Sequence, residues 1–152
     1  MKSLYLFIMR WLYRLSWPLS GLFLHNSHRV RVALKSGDKI LLVKASFGSQ
    51  KWELPGGGVR RRESARDALE RELQEEVGIA IDTDKLKLIT RAHLSENRLG
   101  WPRKDTGLYS YEIPNKSITI QRPLEIVDAQ WFNLSSLPSD VLSDVRQAVK
   151  YL

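Results

Sequence analysis

The sequence predicts one α/β domain, and three observations predict it. Apolar and polar residues alternate over Arg29–Leu34 as they do in a strand. A glycine run, Gly56-Gly57-Gly58, then breaks the pattern in a way that neither a helix nor a stable strand can absorb. Directly after it Ala65, Ala68, Leu69, Leu73 and Val77 recur at helical spacing. At 152 residues the chain is long enough to bury one ordinary core.

The elements follow in order. Residues 1–26 form an N-terminal segment distinct from the domain at 27–152. In it Leu4, Phe7, Ile8, Trp11, Leu12 and Leu15 make a helical apolar stripe, with Lys2, Arg10 and Arg14 mostly off it. Arg10 and Arg14 interrupt the run, so it is a poor transmembrane span, and no clear cleavage site marks it as a secretory signal. Two readings of residues 1–24 stand: a helix packed on the domain or across a homodimer, or a basic amphipathic helix lying on an anionic membrane surface. The protein is expected in the cytoplasm, peripheral to the membrane under the second reading.

In the domain, Arg29–Leu34 and Lys39–Ala45 read as strands joined by the turn Ser36-Gly37-Asp38. Trp52-Glu53-Leu54 is a short strand running into the glycine loop. A helix follows from Ser64 to Val77, capped by Ser64 with Asp67 three residues on, and ended by Gly78. Further strands are expected at Leu86–Ala92, Gly107–Ile113, Ser117–Ile120 and Ile126–Phe132. Ser139 is expected to cap a closing helix with Val141, Leu142, Val145, Ala148 and Val149 buried.

Composition narrows the chemistry. The net charge is +7 and the pI about 9.8, which favours anionic partners such as phosphorylated small molecules, nucleic acid or an acidic membrane face. There is no cysteine, so disulfides and thiolate metal sites are excluded. The helix carries Glu72, Glu75 and Glu76, at i,i+3 and i,i+4 spacing, which puts three carboxylates on one side. Like charges so placed repel, and a hard divalent cation, Mg²⁺ or Mn²⁺, offsets the repulsion.

The run from Gly57 through Glu63, Arg71-Glu72-Leu73, Glu75-Glu76 and Gly78-Ile79 matches every fixed position of the Nudix box, G-x5-E-x7-R-E-U-x-E-E-x-G-U with U aliphatic. Trp52 to Gly57 and Asp128-Ala129-Gln130-Trp131-Phe132 also resemble common Nudix context. The resemblance covers residues 27–152. It implies the Nudix fold, a mixed β-sheet sandwiched between helices. It also implies hydrolysis of a nucleoside diphosphate linked to another group, with water attacking phosphorus and Mg²⁺ or Mn²⁺ on the diphosphate.

The resemblance assigns Glu72, Glu75 and Glu76 as metal ligands, the Gly56 carbonyl as a further ligand, and Glu63 with Arg71 as a structural brace. The general base varies in the family and can be a box glutamate or an acid from a later loop. Outside the box Glu125 leads by position, ahead of Glu112 and Glu96. Arg60, Arg61 and Arg62 depart from the family pattern, being either a solvated loop or an electrostatic guide for a polyanionic substrate. Trp101, with Arg98 and Arg103, either stacks on a substrate base or anchors a surface loop. His25, His28 and His93 lack metal-like spacing.

Three functions stay open at this point. One is a metal-dependent pyrophosphohydrolase of a nucleotide-derived small molecule. Another keeps the chemistry but acts on di- or triphosphate 5′ ends of RNA. The third is a non-catalytic nucleotide sensor on the same fold. Specificity comes from loops outside the box, and no downstream motif marks a substrate.

Overall fold

The structure, a computed structural model, describes residues 28–46, 48–94, 104–114 and 117–152. The expectations for residues 1–24, His25, Glu96, Arg98, Trp101 and Arg103 lie outside the described residues. Among those described, no helix is long and apolar enough to cross a membrane.

Strands β1 (Arg29–Ser36) and β2 (Lys39–Ala45) form the expected hairpin, but pair only at its tip, Lys35 opposite Ile40 and Ser36 opposite Lys39. Beyond the tip they part. β3 (Trp52–Glu53) takes the vacated edge of β2, with Glu53 opposite Val43 and Trp52 opposite Lys44. Along β1 the gap is filled by the chain that follows β3. Val32 N–H donates to the Pro55 carbonyl at 3.0 Å and Val30 N–H to the Gly57 carbonyl at 2.9 Å. A proline can only accept in a ladder, and here only acceptors are asked of it. The glycine loop is thereby spliced into the sheet.

On its other side β1 runs parallel to β5 (Lys104–Glu112), which pairs antiparallel with β4 (Lys87–Leu94). β6 (Ile126–Asn133) pairs along the second edge of β2. The strand order is β3-β2-β1-β5-β4, with β6 branching from β2. The sheet is mixed and lies between two helices, α1 (Ala65–Val77) and α2 (Ser143–Val149). Strand alternation sorts the core to both faces. Val30, Val32, Leu34, Leu41 and Val43 pack with Leu69, Leu73 and Val77 of α1. Ala33, Ile40, Leu42 and Leu108 pack with Val145 and Ala148 of α2. Each fully buried leucine or valine contributes roughly 1.5–3 kcal/mol. Trp52 anchors β3 edge-on against Phe132, ring centroids 4.7 Å apart.

The ends of α1 are as the sequence predicts. The Ser64 hydroxyl accepts from Asp67 N–H at 3.1 Å, and Gly78 closes the helix in the left-handed conformation at φ 69°. Two other expectations are corrected. Ser117–Ile120 is not a strand. Thr119 N–H donates to the Val77 carbonyl at 3.2 Å and Gln121 N–H to the Glu76 carbonyl at 3.1 Å, so this segment satisfies the open end of α1 instead. Ser139 does not cap α2, which starts at Ser143 after Leu142 and has no side-chain cap bond. Residues 140–142 are committed to β3: Trp52 N–H donates to the Asp140 carbonyl and Leu142 N–H to the Trp52 carbonyl, at 3.0 and 2.8 Å.

The loop ahead of α1 turns through Arg62 at φ 66°, a left-handed conformation that costs an L side chain roughly 1–2 kcal/mol. Arg62→Gly is therefore expected to stabilise the protein by about 1 kcal/mol, read as a higher urea midpoint at unchanged slope. A lower midpoint would mean that the arginine side chain contributes more than its backbone costs.

Candidate active site

Two glycines make the site possible. Gly56 lies at φ 132°, packed so closely on the Val30 carbonyl that a β-carbon would overlap it. Gly57 lies against the carboxylate of Glu72, where a β-carbon would also overlap. The first glycine lets the loop enter the sheet, and the second admits a helix carboxylate to the loop.

Arg31 holds the loop from beneath. Its Nη1 donates to the carbonyls of Leu54 and Gly56, both at 2.8 Å, and Nη2 pairs with Glu53 Oε2 at 3.0 Å. Leu54 N–H in turn donates to Asp144 Oδ2 of α2 at 3.3 Å. Burial pushes the Asp144 carboxyl up to about 6, while the Arg31 charge draws it back. Gly56 N–H donates to Glu76 Oε2 of α1 at 3.0 Å. A buried polar network thus crosses the sheet from one helix to the other beneath the glycine loop.

Glu76 is the most buried of the three box carboxyls, 8 % exposed. Burial pushes it up to about 8, against the pull of the Arg31 charge and the Gly56 N–H. Its neighbours are held by arginines. Arg71 grips Glu63 with two bonds, Nε to Oε1 at 2.7 Å and Nη2 to Oε2 at 3.0 Å. This pair, with Arg60 N–H on the second oxygen at 2.7 Å, draws the Glu63 carboxyl down to about 2, although partial burial opposes it. Arg71 also reaches Glu72 Oε1 at 2.7 Å, Glu75 Oε2 at 3.3 Å and the Gly58 carbonyl at 3.0 Å. It is the tie between loop and helix.

Glu75 is in contact with three arginines. Besides Arg71 it takes Arg60 at 3.4 Å and Arg122 in close contact, and Arg122 also binds Glu125 at 3.1 Å. Glu125, 59 % exposed, is brought to the site by that bridge. Glu112 is not. It is exposed on β5 opposite Lys35, at the hairpin end of β1 and far from the loop. Arg61 and Arg62 are exposed beside Arg60.

Sequence reasoning missed Arg31, Glu53, Arg122 and Asp144. Arg31 left a signal, a cation between two valines of an apolar strand. Arg122 left none, because a turn far along the chain delivers it.

Does this donor set suit a divalent cation? Its chemistry does: Glu72, Glu75, Glu76 and the Gly56 carbonyl offer only hard oxygens. Burial disfavours the ionised form of Glu76, and a cation beside it would favour that form. As the side chains stand, no three acidic or imidazole groups among the described residues converge on one ion-sized point. Arginines occupy oxygens of Glu72 and Glu75, so holding a cation means exchanging those partners. Beside the site, a groove of about 250 Å³ opens between Val30, Val59, Ala65 and Tyr109, with Arg29 and Arg91 among its polar lining.

The model of the NUDIX domain matches residues 26–152, and the chain belongs to that family. It is similar to the RNA pyrophosphohydrolase of Teredinibacter turnerae, 31% identical over 118 residues, which are 76% of this chain and 60% of that protein. It is also similar to the oxidized purine nucleoside triphosphate hydrolase of Mus musculus, 31% identical over 98 residues, 64% of this chain and 58% of that one. The chain therefore spans about 60% of the length of these curated relatives. In fold it matches the MutT NUDIX hydrolase of Burkholderia pseudomallei with a TM-score of 0.74 at 24% identity, over 82% of this chain and 96% of that one. The fold inferred from the box is the fold of this chain.

Two outcomes are expected. Arg31→Met leaves Glu53 and two carbonyls without their buried partner and should cost about 3–5 kcal/mol in urea unfolding. A loss below about 1 kcal/mol would show that the network does not hold the loop. For Glu76 the sign is set by its raised value. The unfolded chain loses this proton near 4.5, whereas the fold keeps it up to about 8. Metal-free stability should therefore fall as pH rises through that window, because the folded state binds the extra proton there. Glu76→Gln should flatten most of this descent, melting above the wild type beyond pH 8 and close to it near pH 4.5. Parallel melting curves for both proteins across the window would refute the assignment.

Proposed function

We propose that this protein is a divalent-metal-dependent pyrophosphohydrolase that cleaves a nucleoside diphosphate linked to a second group. The observation that carries this reading is the packing of the Glu72, Glu75 and Glu76 helix against the Gly56-Gly57 loop in a NUDIX chain. Glu72, Glu75, Glu76 and the Gly56 carbonyl would hold Mg²⁺ or Mn²⁺. The carbonyl has a second lone pair beyond the one facing Arg31. When bound, such a metal neutralises the diphosphate, polarises phosphorus and lowers the pKa of a bound water.

The chain's own residues supply the rest. Glu63 and Arg71 keep loop and helix in register, so the ligand carboxylates keep their places. Glu125, held beside Glu75 by Arg122, is the proposed base. It takes a proton from water as the water oxygen attacks phosphorus and a P–O bond breaks, releasing a nucleoside monophosphate and the phosphorylated second group. The groove beside Val59 is one residue from Gly58 and is proposed to receive the nucleoside. The net charge of +7 and the exposed Arg60–Arg62 run support polyanionic substrates.

A second reading keeps this chemistry on the phosphorylated 5′ end of RNA. It is favoured by the similarity to an RNA pyrophosphohydrolase and by the basic charge.

The test is a phosphate-release panel of deoxynucleoside triphosphates, nucleotide sugars, ADP-ribose, dinucleoside polyphosphates and triphosphorylated RNA. Hydrolysis dependent on Mg²⁺ or Mn²⁺ is expected, falling at least about 100-fold in Glu76→Gln. The same metals should raise the melting temperature of the wild type and not of the variant. A panel with no metal-dependent turnover sinks the enzymatic reading. RNA binding no tighter than free nucleotide sinks the second one.

A further inference from the structure

Arg122 lies outside the box, and its position is closely determined. The turn that carries it is tied at both ends. Gln121 N–H donates to the Glu76 carbonyl of α1 at 3.1 Å. At the other end, Ser46 of the β2 terminus donates its N–H to the Glu125 carbonyl at 2.7 Å and its hydroxyl to the Leu124 carbonyl. Within the turn, the Arg122 carbonyl accepts from Glu125 and Ile126 N–H at 3.0 and 2.9 Å. The guanidinium so delivered lies on Glu75 Oε2, and from a different element Arg60 reaches Glu75 Oε1 at 3.4 Å. One carboxylate is held by Arg60 on one oxygen and by Arg122 on the other, which Arg71 also reaches at 3.3 Å.

We propose that Arg60 and Arg122 form the seat for a terminal, uncapped phosphate of the substrate, which Glu75 occupies until it turns to a divalent cation. The inference rests on the pyrophosphohydrolase reading. A carboxylate and a phosphate present guanidinium groups with the same kind of paired oxygens, so Glu75 marks an oxyanion position. When Glu75 leaves it, the three arginines behave differently. Arg71 stays with Glu63, which holds it by two bonds. Arg122 stays at the rim through Glu125, its side chain 35% exposed, and Arg60 is 61% exposed on the loop. These two face whatever anion the cation brings.

The number of oxygens then selects the substrate. A terminal phosphate has three non-bridging oxygens and can offer one to a cation and one to each arginine. An internal phosphate has two and leaves an arginine unmatched. The seat therefore favours substrates that end in a free phosphate over diphosphates capped by a sugar.

The test compares two ligands that differ only in the cap, α,β-methylene ADP and α,β-methylene ADP-ribose, titrated calorimetrically into the full chain with Mg²⁺. The wild type is expected to prefer the uncapped ligand by about 10-fold or more, the range of a charge-assisted hydrogen bond. Arg122→Ala and Arg60→Ala should each remove most of that preference by weakening the uncapped ligand alone. Arg122→Lys should retain part of it, as a point charge without the fork. Melting curves report whether each variant is folded, and Arg60→Ala on the exposed loop tests the seat even where Arg122→Ala unfolds.

Equal wild-type affinity for the two ligands, no binding of the uncapped one, or equal weakening of both in the variants overturns the seat. A clear preference in a protein that hydrolyses nothing in the panel would uphold the seat and reject the reaction. Robust hydrolysis without the preference would do the reverse.

Discussion

The structure depends on one buried cation. Arg31 sits in β1, where an apolar side chain would be ordinary, and it fixes the carbonyls of Leu54 and Gly56 while pairing with Glu53. Burying a guanidinium is costly unless its donors are matched, and here matched acceptors come from the loop that must be positioned. The parting of β1 from β2 opens room for that loop, and Arg31 determines how it lies there. From this follow the placement of Gly56 N–H on Glu76, the approach of Glu72 to Gly57, and the docking of Asp144 from α2 on Leu54 N–H. Both helices are thus registered against one turn.

Above that turn the electrostatics are balanced by exchange. Glu63 and Arg71 form a tight pair that needs nothing further. Glu72 and Glu75 carry arginine partners, and burial shifts the Glu76 carboxyl toward its neutral form. The carboxylates are therefore neutralised in the metal-free fold by groups that can leave. This arrangement tolerates three acids on one helix without melting it, and it keeps their oxygens at the surface of the loop.

Much of this was legible in the chain. The stripe of Leu69, Leu73 and Val77, the Ser64 cap and the Gly78 stop follow from local rules, and all are found. The box resemblance anticipated the pairing of Glu63 with Arg71, and the two are in contact. Local rules failed where a distant element competed for the same backbone groups. Ser117–Ile120 has strand-like composition, yet the open carbonyls of α1 claim the N–H groups of Thr119 and of Gln121 just after it. Ser139 has the right side chain for a cap, yet β3 holds the residues after it.

By itself the sequence determined the α/β class, three glutamates on one side of a helix, and a box whose family resemblance implied the mixed sheet between helices. These are properties of periodicity and fixed spacing, which a linear chain carries openly. Only the tertiary structure decided that Arg31 underpins the loop, that Glu125 rather than Glu112 comes to the site, and that Arg60 and Arg122 meet on Glu75. Arg31 reaches Gly56 and Arg122 reaches Glu75 across stretches of chain that no local rule spans, through turns tied to other elements. Their geometry exists only once β1 and β2 have parted and the loop has filled the space between them.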